Sequence, residues 1–530
     1  MDESNPEVEA LAIVDDRVVA VGDKTIGIYI GDSTRVIDLE GRLAVPGFIE
    51  GHGHLLKLGR KLSTLRLENA ETWDEIVEMV AEAARTTPEG DWIFGRGWHQ
   101  EKWTEPPSPS VRGLPVNDGL NAVSPNHPVH LRHASGHMGM SNARALEHAG
   151  ITNDSNPPHG GEFIRREDGT LTGALVENAE DVVLGAFYED IEAAGPVAAR
   201  ARYEREIDLA TRECLSKGVT SFHDASASLA IIDLYRALAD EGRLGLRLYV
   251  MVDSETVVLD DRLRDYRVIG YGGNRLTVRA IKEYIDGALG AHGAWLLEPY
   301  EDRPESTGHN TRTLETIETS ARAAVEHDYQ LCVHAIGDRG NREILDLYER
   351  HYATRPGEDL RWRVEHAQHL SPDDIPRFAG LGVIASMQGV HCISDGPWVP
   401  DRIGEKRARE GAYVWRALID SGAVVANGTD TPVEDIDPIA NFHALVTREM
   451  NDGTAFFPEQ RMTHAEALRS MTLDAAYAAF EEETKGSLSP GKLADIVVLS
   501  RDIMTVPDDE ILDTHVDLTI LGGEVVYRGE

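Results

Sequence analysis

His52 and His54 stand two residues apart in the stretch Val45-Pro46-Gly47-Phe48-Ile49-Glu50-Gly51-His52-Gly53-His54. On an extended strand this spacing turns both imidazoles to one face, as a metal ion requires of two nitrogen ligands. Alone the pair is a weak signal, because 21 histidines are spread over the chain. Its place straight after an apolar Pro-Gly-Phe-Ile run strengthens it. Thiolate chemistry is disfavoured: Cys214, Cys332 and Cys392 lie far apart with no CxxC spacing, which argues against a structural zinc site and against a disulfide framework. The glycine clusters lack the strand-helix context of a dinucleotide or phosphate loop, so no nucleotide cofactor is expected.

Such a pair needs a frame to hold it. Short apolar strands that finish in polar residues alternate with helical patterns, the signature of parallel βαβ units. The expected strands are Gly47 to Glu50, Val219 to His223, Leu246 to Val252, Val278 to Tyr284, Gln330 to His334, Arg361 to His366, Val383 to Met387 and Val424 to Asn427, with helices such as Ser320 to His327 and Val414 to Ser421 between them. Eight is the number that closes a (β/α)8 barrel. More than 160 residues separate the first strand from the second, far beyond a normal connection, so an inserted subdomain is expected over 62–205. It holds a helical stretch, Trp73 to Arg85, and a Trp-, His- and Pro-rich segment, Asp91 to Asn142. Both chain ends read as short strands broken by turns: Ala10 to Val14, an Asp15-Asp16 turn, Arg17 to Gly22, then Ala494 to Leu499 and a Leu518 to Tyr527 hairpin. Neither end has strands enough for its own core. The expected organisation is therefore α/β: a TIM-like barrel over 46–479, with a small composite β-sandwich formed by 1–45 and 480–530.

Composition narrows the partners. In 530 residues, 91 acidic against 52 basic side chains give a formal net charge of −39, spread along the whole chain. That field opposes binding to nucleic acid or an anionic membrane. Only nine of the basic residues are lysine, a balance that resembles salt-adapted proteins, whose self-repulsion is screened in concentrated salt. No run of eighteen apolar residues occurs, and Met1-Asp2-Glu3-Ser4 has no signal-peptide pattern, so a soluble cytoplasmic protein is expected, with homo-oligomerisation left open.

With these blocks in place the chain resembles the amidohydrolase superfamily, and within it the amidohydrolase-3, or YtcJ-like, group. The resemblance runs over nearly the whole chain: the His52 block, Lys282-Glu283-Tyr284-Ile285-Asp286-Gly287-Ala288-Leu289-Gly290, His334-Ala335-Ile336-Gly337-Asp338-Arg339, Arg363-Val364-Glu365-His366-Ala367-Gln368, Gly428-Thr429-Asp430-Thr431-Pro432-Val433 and the late Gly486 to Asp495 segment. It implies metal ligands at the C-terminal ends of the barrel strands: His52 and His54 from strand one, Lys282 from strand four, His334 from strand five, His366 from strand six and Asp430 from strand eight. Imidazole and carboxylate suit Zn²⁺, one ion or two. Lys282 shares strand parity with Val278, Ala280 and Tyr284 and so faces the barrel, where burial lowers an amine's pKa. A neutral lysine can capture carbon dioxide, and a carboxylated Lys282 implies two bridged metals. The alternative is an unmodified lysine that pairs with an acid or with substrate, and a single metal.

The chemistry so implied is hydrolysis: the metal brings a water's pKa from 15.7 to about 7 and Asp430 carries the proton to the leaving group. A C–N bond of an amide, formamide or cyclic amide is the expected target, with an ester, or a non-catalytic protein that has kept the fold, as the alternatives. Candidate substrate contacts are His223 at the end of strand two, Arg339, His391 and, from the insertion, Trp98 and His137; Asp224, Trp398 and His99 stand beside them, and each could equally be structural. Two departures from the group's pattern stand out. About nine polar or acidic residues precede Ala10 where the group has another apolar strand, and His292 in Gly290-Ala291-His292-Gly293 takes a place where an arginine is expected.

Overall fold

The structure is a computed structural model that describes residues 6–529 except 101–102, 135–137, 194 and 254–261. The chain forms two compact units, 1–57 with 210–530, and 58–209.

The first unit is built on eight parallel strands in the order of the chain: β1 (Phe48–Gly53), β2 (Val219–Ala227), β3 (Arg247–Asp253), β4 (Leu276–Tyr284), β5 (Gln330–Ala335), β6 (Arg363–His366), β7 (Ile384–Gln388) and β8 (Val425–Gly428). β3 carries a continuous apolar run, Leu248-Tyr249-Val250-Met251-Val252, because parallel strands in such a fold are covered on both faces, whereas shorter strands such as β6, Arg363-Val364-Glu365-His366, are buried but polar. Every neighbouring pair from β1 to β8 is parallel. Two backbone hydrogen bonds join the ends of β1 and β8: Asp430 donates its N–H to His52 O at 2.8 Å, and His54 donates to Thr431 O at 2.8 Å. The barrel is thus nearly closed, a TIM-like (β/α)8 architecture as expected. The seam requires glycine: a Cβ on Gly51 would stand 2.4 Å from Asn427 O, and one on Gly428 would stand 2.6 Å from His52 N.

Residue parity places the interior. Ala225, Tyr249, Met251, Ala280 and Cys332 pack with Ala479 below the site. There Tyr249 donates to Gln330 Oε1 at 2.9 Å, and Gln330 Nε2 donates to Ala478 O at 2.9 Å. The chain ends supply a four-stranded antiparallel sheet in the order Glu524–Arg528, Val516–Leu521, Ile496–Leu499, Leu43–Pro46. Ala10–Val14 and Arg17–Gly22 form a separate two-stranded sheet, turned at Asp15 with φ of 53°. Arg247, at the start of β3, reaches this region through a buried bidentate pair with Asp495, at 2.6 and 2.8 Å.

The second unit carries a six-stranded mixed sheet, in the order Gly161–Arg165, Leu171–Glu177, Met138–Ser141, Val129–His133, Ile93–Trp98, Leu65–Arg66. The expected helix is present as Trp73–Thr86, capped by Thr72, whose hydroxyl accepts from Glu75 N at 3.1 Å. The strands within Asp91 to Asn142 were not legible. Ile93–Trp98 carries two glycines, and Gly95 is required because a Cβ there would stand 2.7 Å from Leu131 Cδ2. Among the described residues no helix is long and apolar enough to cross a membrane.

Candidate metal centre

β1 ends at Gly53 and sends His52 and His54 toward the C-terminal mouth of the barrel. Their rings lie 5.8 Å apart between centroids. Asp430 arrives from the end of β8, directly across the seam: its Oδ1 is 3.7 Å from His52 Nε2 and 3.4 Å from His54 Nε2. His366, at the end of β6, brings its ring within 4.8 Å of His52 and 4.5 Å of His334. One ligand atom each from His52, His366 and Asp430 falls within a 4.8 Å group, and all three residues are buried. Asp430 and His366 both take positive φ, 58° and 76°. For residues other than glycine that backbone is strained, and strain of this kind gathers where a fold must aim a side chain.

Two of the imidazoles are oriented from behind. His52 Nδ1 is hydrogen-bonded to Glu365 Oε2, and His366 Nδ1 donates to Gln388 Oε1 at 2.7 Å. With Nδ1 engaged on the outer side, Nε2 of each ring is left as the free lone pair. His334 Nε2 and His54 Nδ1 are buried without a hydrogen-bond partner, Asp286 Oδ1 standing 3.6 Å from the former. Asp430 Oδ1, which faces Nε2 of both His52 and His54, is likewise buried without a hydrogen-bond partner. Buried polar atoms are rarely left unsatisfied, and an orphaned carboxylate oxygen between two imidazoles fits a metal better than it fits a core.

The electrostatics agree. Burial, and then the charge of Lys282, lower His52 to about 4 and His334 to about 3; burial and the neighbouring His334 hold His366 well below the usual range. All three are neutral at pH 7, the form that binds metal. Burial pushes the Asp430 carboxyl up, but contact with His54 and the field of His52 win and hold it well below the usual carboxylate range. It is therefore an ionised acceptor. Lys282 is fully buried on β4, and burial lowers it to about 8 against the pull of Glu365 and Asp430. Its Nζ stands 4.6 Å from the centre of the Tyr284 ring. Glu50, on β1, accepts from Thr429 N at 2.6 Å and Thr429 Oγ1 at 2.9 Å, clamping β8 to β1; burial raises it to about 8.

The remaining candidates occupy varied places. His391 follows β7, its ring stacked 6.3 Å from His366 and its Nε2 without a partner. His223 is fully buried below the histidines, with Nδ1 3.1 Å from Arg363 Nη1 and 3.2 Å from Gly51 O. Arg339 lies over the Trp295 ring at 4.6 Å and 3.5 Å from Glu343, with the helix that starts at Asp338. Trp98 is fully buried in the core of the second unit, packed with Trp73 and Trp103, and donates to Leu131 O at 2.8 Å. His137 lies outside the described residues. Asp224 accepts from Leu55 N and Tyr235 Oη, and His292 pairs with Asp302 at 3.1 Å. Sequence reasoning passed over Glu365, Arg363, Gln388 and Glu50. Strand alternation predicts that Glu365 and His366 face opposite ways, yet both lie against His52, and the backbone at His366 leaves the extended region with φ of 76°.

The chain is 32% identical to the protein LONG AFTER FAR-RED 3 of Arabidopsis thaliana, over 99% of this chain and 89% of that protein. It is 25% identical to the N-substituted formamide deformylase of Arthrobacter pascens, over 100% of this chain and 96% of that one. Among solved structures, a metal-dependent hydrolase from Pyrococcus furiosus superposes with a TM-score of 0.74 at 27% identity, covering 94% of this chain and 96% of its own. The family model described as "Amidohydrolase family" matches residues 35–527, so the chain belongs to the amidohydrolase family.

Proposed function

We propose that this protein is a metal-dependent hydrolase that cleaves the C–N bond of a small amide, formamide or cyclic amide. The observation that carries the reading is the convergence of His52 Nε2, His366 and Asp430 in a buried group, with His54 and His334 beside it. His52, His54, His334, His366 and Asp430 would hold the metal, and this donor set of imidazoles with a carboxylate suits Zn²⁺. When bound, such an ion supplies an activated water and polarises a carbonyl group.

The protein's own part is proton transfer and orientation. Asp430, ionised and fixed by its backbone hydrogen bond to His52 O, accepts a proton from the attacking water through its carboxylate. It returns that proton to the leaving nitrogen, the two-way use of one carboxyl group. His391, stacked beyond His366 with a free Nε2, is placed to contact substrate. Lys282, with a lowered pKa, is a candidate for carboxylation and hence for bridging a second ion.

The deformylase relative supports the choice of a C–N bond. The test is turnover by the metal-replete protein of a panel of N-substituted formamides, simple amides and cyclic amides against matched esters. Preferential release of amine supports the reading; preferential ester cleavage, or no turnover of any member, overturns it.

A further inference from the structure

Behind the centre lies a second layer that the proposed reaction does not use directly. Arg363 and Glu365 share strand parity on β6, both fully buried, with Arg363 Nε 2.7 Å from Glu365 Oε1 and Nη2 3.1 Å from Glu365 Oε2. The guanidinium also donates to Gly51 O on β1 at 2.8 Å and to Ser386 Oγ on β7 at 2.7 Å, and Nη1 lies 3.1 Å from His223 Nδ1 on β2. One arginine thus ties four strands around one carboxylate. Glu365 Oε2 in turn engages His52 Nδ1. A buried ion pair of this kind adds little net stability compared with apolar packing, so its presence asks for another role. His366 has only the neutral amide of Gln388 behind it, whereas His52 has a carboxylate.

We infer that Arg363 and Glu365 form one positioning unit for His52: Glu365 accepts a hydrogen bond from Nδ1–H, fixes the tautomer and aims Nε2 at the centre, while Arg363 fixes Glu365. The inference rests on the metal-centre reading above. Outer partners that orient a ligand histidine typically change metal affinity 10–100-fold when lost.

The experiment compares wild type, Glu365→Gln, Glu365→Leu and the double variant Arg363→Met/Glu365→Leu. The double variant removes the pair without leaving a lone buried charge, which protects folding. Folding is checked by circular dichroism, the Zn²⁺ Kd by competition with a chelator, and the His52 tautomer by ¹⁵N NMR of the metal-free protein. The expected result is a single Nδ1–H tautomer in wild type, loss of that preference in both Leu variants, and a Kd raised about 10–100-fold in them. Glu365→Gln, which keeps a carbonyl acceptor, recovers part of the affinity. Folded Leu variants with wild-type Kd and tautomer, or a Gln variant no better than Leu, overturn the inference. A wild type that holds no Zn²⁺ defeats the metal-centre reading instead, and the tautomer of the metal-free protein still decides the role of Glu365.

Discussion

Lys282→Met separates the cost of a buried amine from its use. Burial lowers Lys282 from 10.5 to about 8, so the folded state binds fewer protons than the unfolded state between those values. The sign follows: wild-type stability rises with pH across that window, and the penalty is fully present below pH 8. At 1.36 kcal/mol per unit, the displacement corresponds to about 3 kcal/mol. In metal-free protein and without bicarbonate, the Met variant should be most favoured relative to wild type at pH 7, and that advantage should shrink by about 3 kcal/mol by pH 10.5. Packing changes caused by Met do not titrate and cancel in this comparison. The assay is chemical denaturation of both proteins at several pH values. A difference that stays flat from pH 7 to 10.5 refutes the reasoning, because it means that Lys282 titrates as an ordinary exposed lysine. The same lowering makes roughly half of the amine neutral at pH 8, so ¹³C-bicarbonate with metal should give a carbamate signal in wild type that the Met variant lacks.

Further outcomes follow from the same geometry. Asp430→Asn removes the proton acceptor and should lower kcat by roughly 10²–10⁴-fold with the fold intact, read by circular dichroism and steady-state kinetics. Gly428→Ala places a Cβ 2.3 Å from Glu50 Oε1 and 2.6 Å from His52 N, and should destabilise by about 1–3 kcal/mol or more in a denaturant titration, whereas Gly22→Ala, with nothing within 4 Å, should stay within about 0.5 kcal/mol. With a net charge of −39, raising salt from 0.1 M to 1 M shortens the screening length from about 10 Å to about 3 Å and should raise the thermal midpoint; an unchanged midpoint excludes self-repulsion as a significant term.

The barrel was legible because short, largely apolar segments that finish in polar residues alternate with helical patterns in the manner of βαβ units. The two-residue spacing of His52 and His54 turns both rings to one face of a strand, but it was their place after an apolar strand and the order of the later blocks that raised the pair above a weak signal. What escaped was what the third dimension decides. Glu365 sits next to His366 in the chain, and no periodicity predicts that both lie against His52. Glu50 looks like a strand residue until Thr429 is found above it. The chain ends were expected to meet through Ala10 to Gly22, and the strand that pairs with Ile496–Leu499, Leu43–Pro46, was not placed from sequence. In the second unit, Gly95 and Gly97 hid a strand because the close approach of Leu131 and a φ of 108° demand glycine there.

The central claim is that His52, His54, His334, His366 and Asp430 hold a metal. Elemental analysis of the purified protein tests it most directly, with His52→Asn and His366→Asn prepared alongside. One or two divalent ions per chain are expected in wild type, with a marked loss in both folded variants. A wild type that holds no metal, or variants that retain it in full, contradicts the account.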